Sequence, residues 1–247
     1  MFEPRVALAS LSGESDAEWA LAGAEHVGAV FLGGVALDEE TREAAKVMVA
    51  RDREEFLPDD PVAFVDDQLA ALSDASIRPG FNVRSATLPP IRAAAEVCRA
   101  YDAILEVNAH CRQDEMCSAG TGQSLLRNPD RLCEQVRAAA ETGATVGVKV
   151  RTEVSGVDLP EVARQIADAG AEVVHVDAMD SEHVVAEVAE ATDCFLVANN
   201  GVRGGETVAE YLDYGADAVS VGRPSDRPEI LSRVRRATDE WFTEVVA

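Results

Sequence analysis

The sequence predicts a single (β/α)8 TIM barrel that spans residues 1–247. Short apolar runs alternate with amphipathic helical patterns along the chain, and eight such runs favour a closed barrel over an open doubly wound sheet. Several helical patterns end in a glycine that is followed directly by the next apolar run, as in TGATVGVKV, which is typical of a glycine cap and a short loop into a strand. A chain of this length without a Pro-, Gly- or Ser-rich linker fits one large domain.

The predicted elements follow this alternation in chain order. Apolar runs of this length, bounded by turn signals, are the pattern of strands buried in a parallel sheet. An additional helical pattern, PVAFVDDQLAALSD, lies before the third strand, and residues 224–247 are expected to form the helix that closes the domain. The eight predicted strands are RVALAS (5–10), AVFLGG (29–34), GFNVRS (80–85), AILEVNA (103–109), TVGVKVR (145–151), EVVHVDA (172–178), CFLVANN (194–200) and AVSVGR (218–223).

The charge balance of the chain is strongly acidic. Asp and Glu number 45 against 22 Lys and Arg, which gives a formal net charge of −23. The only lysines in the sequence are Lys46 and Lys149. An acidic surface with almost no lysine is typical of adaptation to high salt, where screening removes most of the self-repulsion. The acid excess also argues against a broad basic face for nucleic acid, because such a face neutralises phosphates with Lys and Arg.

The acidic surface leads to a prediction about stability. We expect the melting temperature of the protein to rise between low and molar salt, because counterions screen the repulsion among the excess carboxylates. Thermal melts over a salt series measure this directly. Melting temperatures that do not change with salt would contradict the interpretation as salt adaptation.

The sequence also predicts the cellular compartment. The N-terminal residues MFEPRVALAS lack the basic segment and apolar core of a signal peptide, and no apolar stretch reaches the length needed to cross a membrane. The five cysteines are odd in number and do not follow a secreted disulfide pattern, so we expect thiols and a cytoplasmic location. These cysteines are Cys98, Cys111, Cys117, Cys133 and Cys194.

Lys149 lies inside a run of valines that reads as a buried strand, where a charge is energetically costly. Strand side chains alternate, so Lys149 and Arg151 face away from the valines. The same period of two in neighbouring strands brings further polar side chains to one barrel mouth, where reactive groups of such barrels lie. The alternative is a structural polar layer in which Lys149 pairs with a carboxylate. The other residues on this face are Asn82, Arg84, Glu106, Asn108, His110, His175, Asp177 and Asn200.

One stretch of the chain resembles a known family. ILEVNAHCRQDEMCSAGTGQSLL (104–126) is similar to the catalytic strand and loop of the dihydrouridine synthase family, in which Asn-x-Gly-Cys-Pro leads into a loop and a Gly-Ser-x-Leu-Leu helix start. Asn108, Cys111 and Gly122 stand in that frame, with the family-like distance from Cys to Gly. Further matches follow in the family's chain order, between Asn82 and Arg223: GFNVRS, VKVR, VVHVDA, ANNGVRG and SVGRP.

The resemblance implies an FMN-dependent oxidoreductase that reduces a uracil-type ring, with NAD(P)H as the electron donor. Hydride would come from the reduced flavin, and the Cys111 thiol would protonate the opposite face of the ring. Lys149 would stabilise negative charge on the reduced flavin, and the loops after the seventh and eighth strands would hold its phosphate. Those loops have an alternative as ordinary tight turns, and His175 has one as a satisfied core histidine. The implied cofactor-binding residues are Asn82, Asn108, Lys149, His175, Asn200, Gly201, Gly222 and Arg223.

Several positions depart from the family pattern. Arg112 replaces the proline after the cysteine, His110 replaces the glycine before it, and Glu115 replaces a lysine. The loop after the first strand, ASLSGESD, lacks the family's Pro-Met pair, and no helical tRNA-binding domain is expected after the barrel. These departures leave the substrate open between a uridine in tRNA and a free small molecule.

Three functions therefore remain as alternatives. One is modification of tRNA, bound by a local basic rim. A second is a small-molecule flavin reductase or dehydrogenase, related to dihydroorotate dehydrogenases or acting on a pterin-like ring. A third is a flavin-less barrel that binds a phosphorylated ligand. A metal site formed by His110, Cys111 and Cys117 is not favoured, because no further paired ligands follow in the sequence. In the first alternative, the basic rim that binds tRNA would comprise Arg84, Arg112, Arg151 and Arg203.

Overall fold

Each predicted strand pairs with the next one in the sequence, and the last pairs with the first, so the sheet closes into a barrel. In this computed structural model, which describes the backbone of residues 1–246 and the side chains of residues 1–244, all eight pairings are parallel. The predicted (β/α)8 architecture and its eight strands are confirmed. The strands are β1 (Val6–Leu8), β2 (Ala29–Ala36), β3 (Arg78–Arg84), β4 (Ile104–Asn108), β5 (Thr145–Arg151), β6 (Val173–Asp177), β7 (Phe195–Asn199) and β8 (Ala218–Val221).

Helices connect the strands on the outside of the barrel. The extra helix predicted before the third strand is present as α3, and the predicted closing helix is α10. Short 3-10 turns cover Ala24–His26, Gly122–Arg127 and Arg223–Asp226. The α-helices are α1 (Ala17–Gly23), α2 (Glu39–Val49), α3 (Pro61–Ala70), α4 (Leu88–Ala100), α5 (Asp114–Ser118), α6 (Pro129–Ala140), α7 (Leu159–Asp168), α8 (Val184–Ala191), α9 (Gly205–Asp213) and α10 (Pro228–Val246).

Acidic caps determine where several of these helices begin. The Asp38 carboxylate accepts the backbone N–H of Thr41 (2.9 Å) at the start of α2, and Asp60 caps the first turn of α3 in the same way. Such caps satisfy backbone N–H groups that have no partner within the helix, and each contributes about 1 kcal/mol. A second carboxylate oxygen of Asp38 accepts from the Ser85 hydroxyl (2.5 Å), which ties α2 to the end of β3.

The apolar core has two parts. The larger part lies between the strands and the helices and includes the β5 valines that alternate with Lys149. A smaller cluster fills the N-terminal half of the barrel interior, and Ile104, Val173 and Ala218 belong to it. The inward residues two positions further along these strands are polar. The apolar plug therefore restricts the polar groups to the C-terminal half of the barrel, where the connecting loops meet.

Two sequence expectations concern the whole chain. All five cysteines are free thiols. Among the described residues, no helix combines the length and the apolar character that a membrane span requires.

Candidate active site

Four polar side chains cross the barrel interior above the apolar plug and form one hydrogen-bonded layer. Glu106 of β4 lies at its centre, where its carboxylate accepts from Asn82 Nδ2 (2.6 Å) and lies 2.7 Å from His175 Nδ1. The other ring nitrogen of His175 lies 2.7 Å from the Ser220 hydroxyl of β8. All four side chains are at most 1% exposed. Their mutual hydrogen bonds satisfy polar groups that would otherwise be costly to bury.

The protonation of this layer follows from its geometry. Burial alone would raise the pKa of Glu106, but His175, Lys149 and the Asn82 hydrogen bond hold that pKa below its ordinary value. Burial lowers the pKa of His175 and outweighs the opposing charge of Glu106. The carboxylate is therefore ionised and the imidazole neutral, so His175 Nδ1–H donates to Glu106. Its Nε2 then accepts from the Ser220 hydroxyl, which in turn accepts from Asn199 Nδ2 (2.6 Å).

The layer extends towards the predicted catalytic cysteine through Asn108. The Asn108 amide donates to Asn82 Oδ1 (2.9 Å), and its own oxygen accepts the backbone N–H groups of His110 (3.2 Å) and Cys111 (2.9 Å). One run of hydrogen bonds thus joins the barrel centre to the backbone of the loop after β4. Asn82, Asn108 and His175 all use their polar atoms within the protein, and their contact with a cofactor stays a prediction.

Lys149 lies on β5 between Asn108 of β4 and His175 of β6, and only 2% of its surface is exposed. Within the described residues, no carboxylate oxygen lies within 4.0 Å of its ammonium group. Lys149 therefore forms no direct ion pair with Glu106 or Asp177. Burial lowers the pKa of Lys149, whereas the charges of Glu106 and Asp177 oppose that lowering. Two nearby carboxylates thus support a cation that has no contact partner of its own.

A second polar group lies at the barrel mouth above Lys149. His110 Nε2 lies 3.5 Å from Asp177 Oδ2, and the other carboxylate oxygen of Asp177 accepts from Asn200 Nδ2 (2.8 Å). Burial would raise the pKa of Asp177, but His110 and the Asn200 hydrogen bond keep it below its ordinary value. Burial, followed by the charge of Lys149, lowers the pKa of His110. The mouth therefore carries an ionised carboxylate beside a neutral imidazole.

Arg84 was expected to belong to the basic rim, and the structure corrects this expectation. Its side chain is 1% exposed and forms a buried ion pair with Glu55, while one Nη also donates to the carbonyl oxygen of Gly34 (2.6 Å). The physical reason is that the segment before α3 folds over the end of β3 and supplies the counter-charge. Arg151 is also buried, with 6% of its surface exposed, and does not belong to an exposed rim either. Arg112 and Arg203 are exposed, as a rim requires.

Cys111 follows the C-terminal end of β4 and is partly exposed. Its carbonyl oxygen accepts the N–H of Gln123 (2.8 Å), and its side chain packs beside an apolar cluster that includes Met48 and Met116. Gly122 has a φ of +61°, and a Cβ there would lie 2.3 Å from the Cys111 carbonyl oxygen. Only glycine fits this contact, which explains the spacing from Cys to Gly in the sequence. Within residues 1–244, no group of three or more His, Cys, Asp or Glu side chains is arranged to hold a metal ion.

The predicted phosphate-binding loops lie side by side after β7 and β8. Gly201 has a φ of +66°, and a Cβ added at Gly201 or Gly222 would meet nothing within 4 Å. Asn200 has a φ of +97°, and its carbonyl oxygen accepts the Tyr211 hydroxyl (2.9 Å). Arg223 is exposed at the start of the following 3-10 turn. These loops leave open space for a phosphate between two exposed backbone turns, so the residues fit an FMN phosphate.

Sequence reasoning missed three residues of the site. Ser220 completes the buried layer, and Asn199 holds Ser220 in place. Both residues could have been found by extending the period of two to the last two strands. Glu55, the partner of Arg84, carried no such signal, because it lies in an irregular segment outside the barrel pattern.

Solved structures similar to this one show the same fold. FabK from Thermotoga maritima superposes with a TM-score of 0.60 at 17% identity, covering 90% of this chain and 58% of that chain. Thiamine phosphate pyrophosphorylase from Pyrococcus furiosus superposes with a TM-score of 0.57 at 12% identity, covering 96% of both chains. At these identities the likeness is one of barrel architecture alone.

Relatives found by sequence comparison indicate the family as well as the fold. An uncharacterized protein of Methanocaldococcus jannaschii is 27% identical, covering 98% of this chain and 94% of the relative. The tRNA-dihydrouridine synthase B of Xanthomonas campestris pv. campestris is 26% identical over 145 residues, which are 53% of this chain and 44% of the relative. The model of the dihydrouridine synthase family matches residues 89–245, which include β4 to β8 and the loop of Cys111. This match covers well over half of the chain, and the protein belongs to the dihydrouridine synthase family of flavin-dependent oxidoreductases.

Proposed function

We propose that this protein uses FMN to reduce a uracil-type ring, with NAD(P)H as the electron donor and Cys111 as the proton donor. The observation that carries the proposal is Lys149, a buried cation at the barrel mouth with no contact partner among the described residues. A cation left unpaired in a low-dielectric interior is suited to an anionic ligand, because Coulomb interactions are strong there. Cys111 lies at the end of the neighbouring strand.

The residues of this chain divide the work of holding such a cofactor. Gly201, Gly222 and Arg223 would bind the phosphate through open backbone turns and a guanidinium group. Lys149 would face the ring system, with Asn108 beside it on β4. Bound FMN would supply the hydride. Asn200 would hold the Asp177 carboxylate at the edge of the site.

The proton would come from the Cys111 thiol. Asn108 and Gln123 hold the backbone of Cys111 on both sides, through the Cys111 N–H and the Cys111 carbonyl oxygen. These two contacts hold the Cys111 backbone, and with it the sulfur, at the C-terminal end of β4. Proton transfer from a positioned side chain contributes about 10²–10⁴-fold to a rate.

The carrier of the ring distinguishes two candidate functions. A uridine in tRNA agrees with the family, and a free small molecule agrees with the charge of the chain. The structure favours the small molecule in one respect, since burial of Arg84 against Glu55 removes a cation from the predicted rim.

We expect the purified protein to be yellow with bound FMN, and Lys149→Ala to weaken FMN retention or to slow flavin reduction by NAD(P)H. The reason is loss of the buried cation that would face the reduced flavin. Absorption spectra and stopped-flow reduction measure both effects. Lys46→Ala is the matched control, because Lys46 is the other lysine and lies exposed on α2. A colourless protein that takes up no FMN in high-salt buffer would instead favour a flavin-less barrel that binds a phosphorylated ligand.

A further inference from the structure

A groove of about 530 Å³ opens at the C-terminal end of β5. Its walls are the loop between β5 and α7, the start of α7 and two side chains of α8, Val184 and Glu187. Small-molecule sites in proteins have volumes of about 300–1,000 Å³. None of the cofactor-binding residues that the resemblance implies lines this groove.

Arg151, the last residue of β5, lines the groove and is only 6% exposed. Its Nε donates to the carbonyl oxygen of Thr152 (3.1 Å). Its two terminal amino groups make no hydrogen bond to residues 1–244, and no carboxylate of those residues lies within 4.0 Å of the guanidinium. Asp177 interacts with Arg151 through its charge but not by contact. A buried arginine without a carboxylate in contact is unusual, because buried charges are normally paired. The free edge of this guanidinium is suited to bidentate contact with an oxyanion.

The rim of the groove limits what kind of anion can bind. Glu153, Asp158 and Glu187 are exposed carboxylates on the groove walls. The Glu153 carboxylate accepts a hydrogen bond from the Ser181 hydroxyl and forms no ion pair with Arg151. The surrounding carboxylates repel a chain of phosphates, whereas a single oxyanion can be bound by the guanidinium below them.

Lys149 and Arg151 lie two positions apart on the same face of β5, so their Cα atoms are separated by about 6–7 Å. An anion held by Arg151 would therefore lie roughly one ring width from the FMN ring system that Lys149 is proposed to face. A carboxylate attached to a pyrimidine, or a phosphate attached through a sugar, spans such a distance.

We propose that Arg151 binds one oxyanion of the substrate, and that the substrate is a free pyrimidine-type molecule with a single anionic group. The oxyanion is either a ring carboxylate or a phosphate monoester. The identity of the ring rests on the proposed function, whereas the anion site rests on Arg151 and the groove.

The experiment compares neutral and anionic probes that share one ring. Calorimetric titrations of the FMN-loaded protein use uracil against uracil-6-carboxylate, and uridine against uridine 5′-monophosphate. We expect at least one anionic probe to bind about 10-fold or more tightly than its neutral partner. The free energy of a hydrogen bond to a charged group corresponds to a change in affinity of at least this size. The pair that shows the difference identifies the anion as carboxylate or phosphate. Arg151→Gln should abolish the difference.

Two further variants keep the test decisive. Arg151→Lys retains the charge without the bidentate edge and should lose part of the difference, which also provides a reading if Arg151→Gln fails to fold. Arg164→Gln removes an exposed arginine of α7, paired with Glu161 and Asp168, and should leave every affinity unchanged.

Several results would overturn the proposal. Equal binding of neutral and anionic probes to the wild-type protein is one. Loss of FMN from Arg151→Gln, or slower reduction of its flavin by NAD(P)H, would assign Arg151 to the cofactor or the electron donor. Binding of tRNA that depends on Arg151 would assign it to nucleic acid. A protein that takes up no FMN would overturn the proposed function alone, because the same titrations can be made without flavin.

Discussion

Cys111→Ala is expected to slow product formation by about 10²–10⁴-fold while FMN content and the reduction of the flavin by NAD(P)H stay unchanged. The thiol would act only on the substrate, and among residues 1–244 no hydrogen bond involves the Cys111 sulfur. Its backbone N–H and carbonyl contacts with Asn108 and Gln123 survive the substitution. Stopped-flow spectroscopy of the reductive step, together with loss of the ring's ultraviolet absorbance on product formation, measures the two quantities separately.

The neighbouring thiol provides the control for this experiment. Cys117 lies on α5, and its Sγ donates to the carbonyl oxygen of Cys111 (3.6 Å). Burial raises the pKa of Cys117, which leaves it a poorer proton donor at neutral pH. Cys117→Ala should therefore retain most of the activity. Undiminished product formation by Cys111→Ala would exclude the thiol as the essential acid.

Glu106→Ala is expected to destabilise the protein by about 2–6 kcal/mol, because it leaves two buried donors without a partner at about 1–3 kcal/mol each. The substitution removes the partner of both Asn82 and His175 in a layer that has almost no access to water. It also leaves an empty space at the barrel centre. Denaturant unfolding followed by circular dichroism gives the change in the free energy of unfolding.

Two control variants separate the causes of this loss. Glu106→Gln keeps the shape and can still accept from Asn82. Its amide can donate to His175 Nδ1 once the imidazole takes its other tautomer and donates from Nε2 to Ser220, so this variant should retain most of the stability. Glu96→Ala removes an exposed carboxylate of α4 and should change the free energy of unfolding by no more than about 0.5 kcal/mol. A loss for Glu106→Ala as small as that for Glu96→Ala would show that the buried layer is unimportant for folding.

The alternation of side chains along strands accounts for most of what could be predicted about the site. Strand period and register place Asn108, Lys149 and His175 on adjacent strands, and parallel pairing brings them to one height in the barrel. The same reasoning could not predict which of these groups bond to one another. That choice depends on distances across the barrel, which join residues as remote in sequence as Glu106 and His175.

Arg84 and Arg151 show most clearly what the alternation of side chains along strands cannot predict. Both are arginines at the C-terminal ends of strands with the same inward parity, and sequence pattern treats them alike. The structure pairs Arg84 with Glu55, which a loop before α3 carries over the end of β3. Among the described side chains, none forms such an ion pair with Arg151, which lies beside an open groove.

The barrel, the order and position of its strands, and the mouth at which the polar residues meet could all be predicted from sequence patterns. Local periodicity and turn chemistry are sufficient for these features, because they depend on neighbours a few residues apart. Packing in three dimensions explains why Lys149 and Arg151 have no carboxylate in contact among residues 1–244, while Arg84 and His175 have partners within the protein. The physical reason is that the charge state and availability of a buried group are determined by its partners in space, and loops distant in sequence supply those partners.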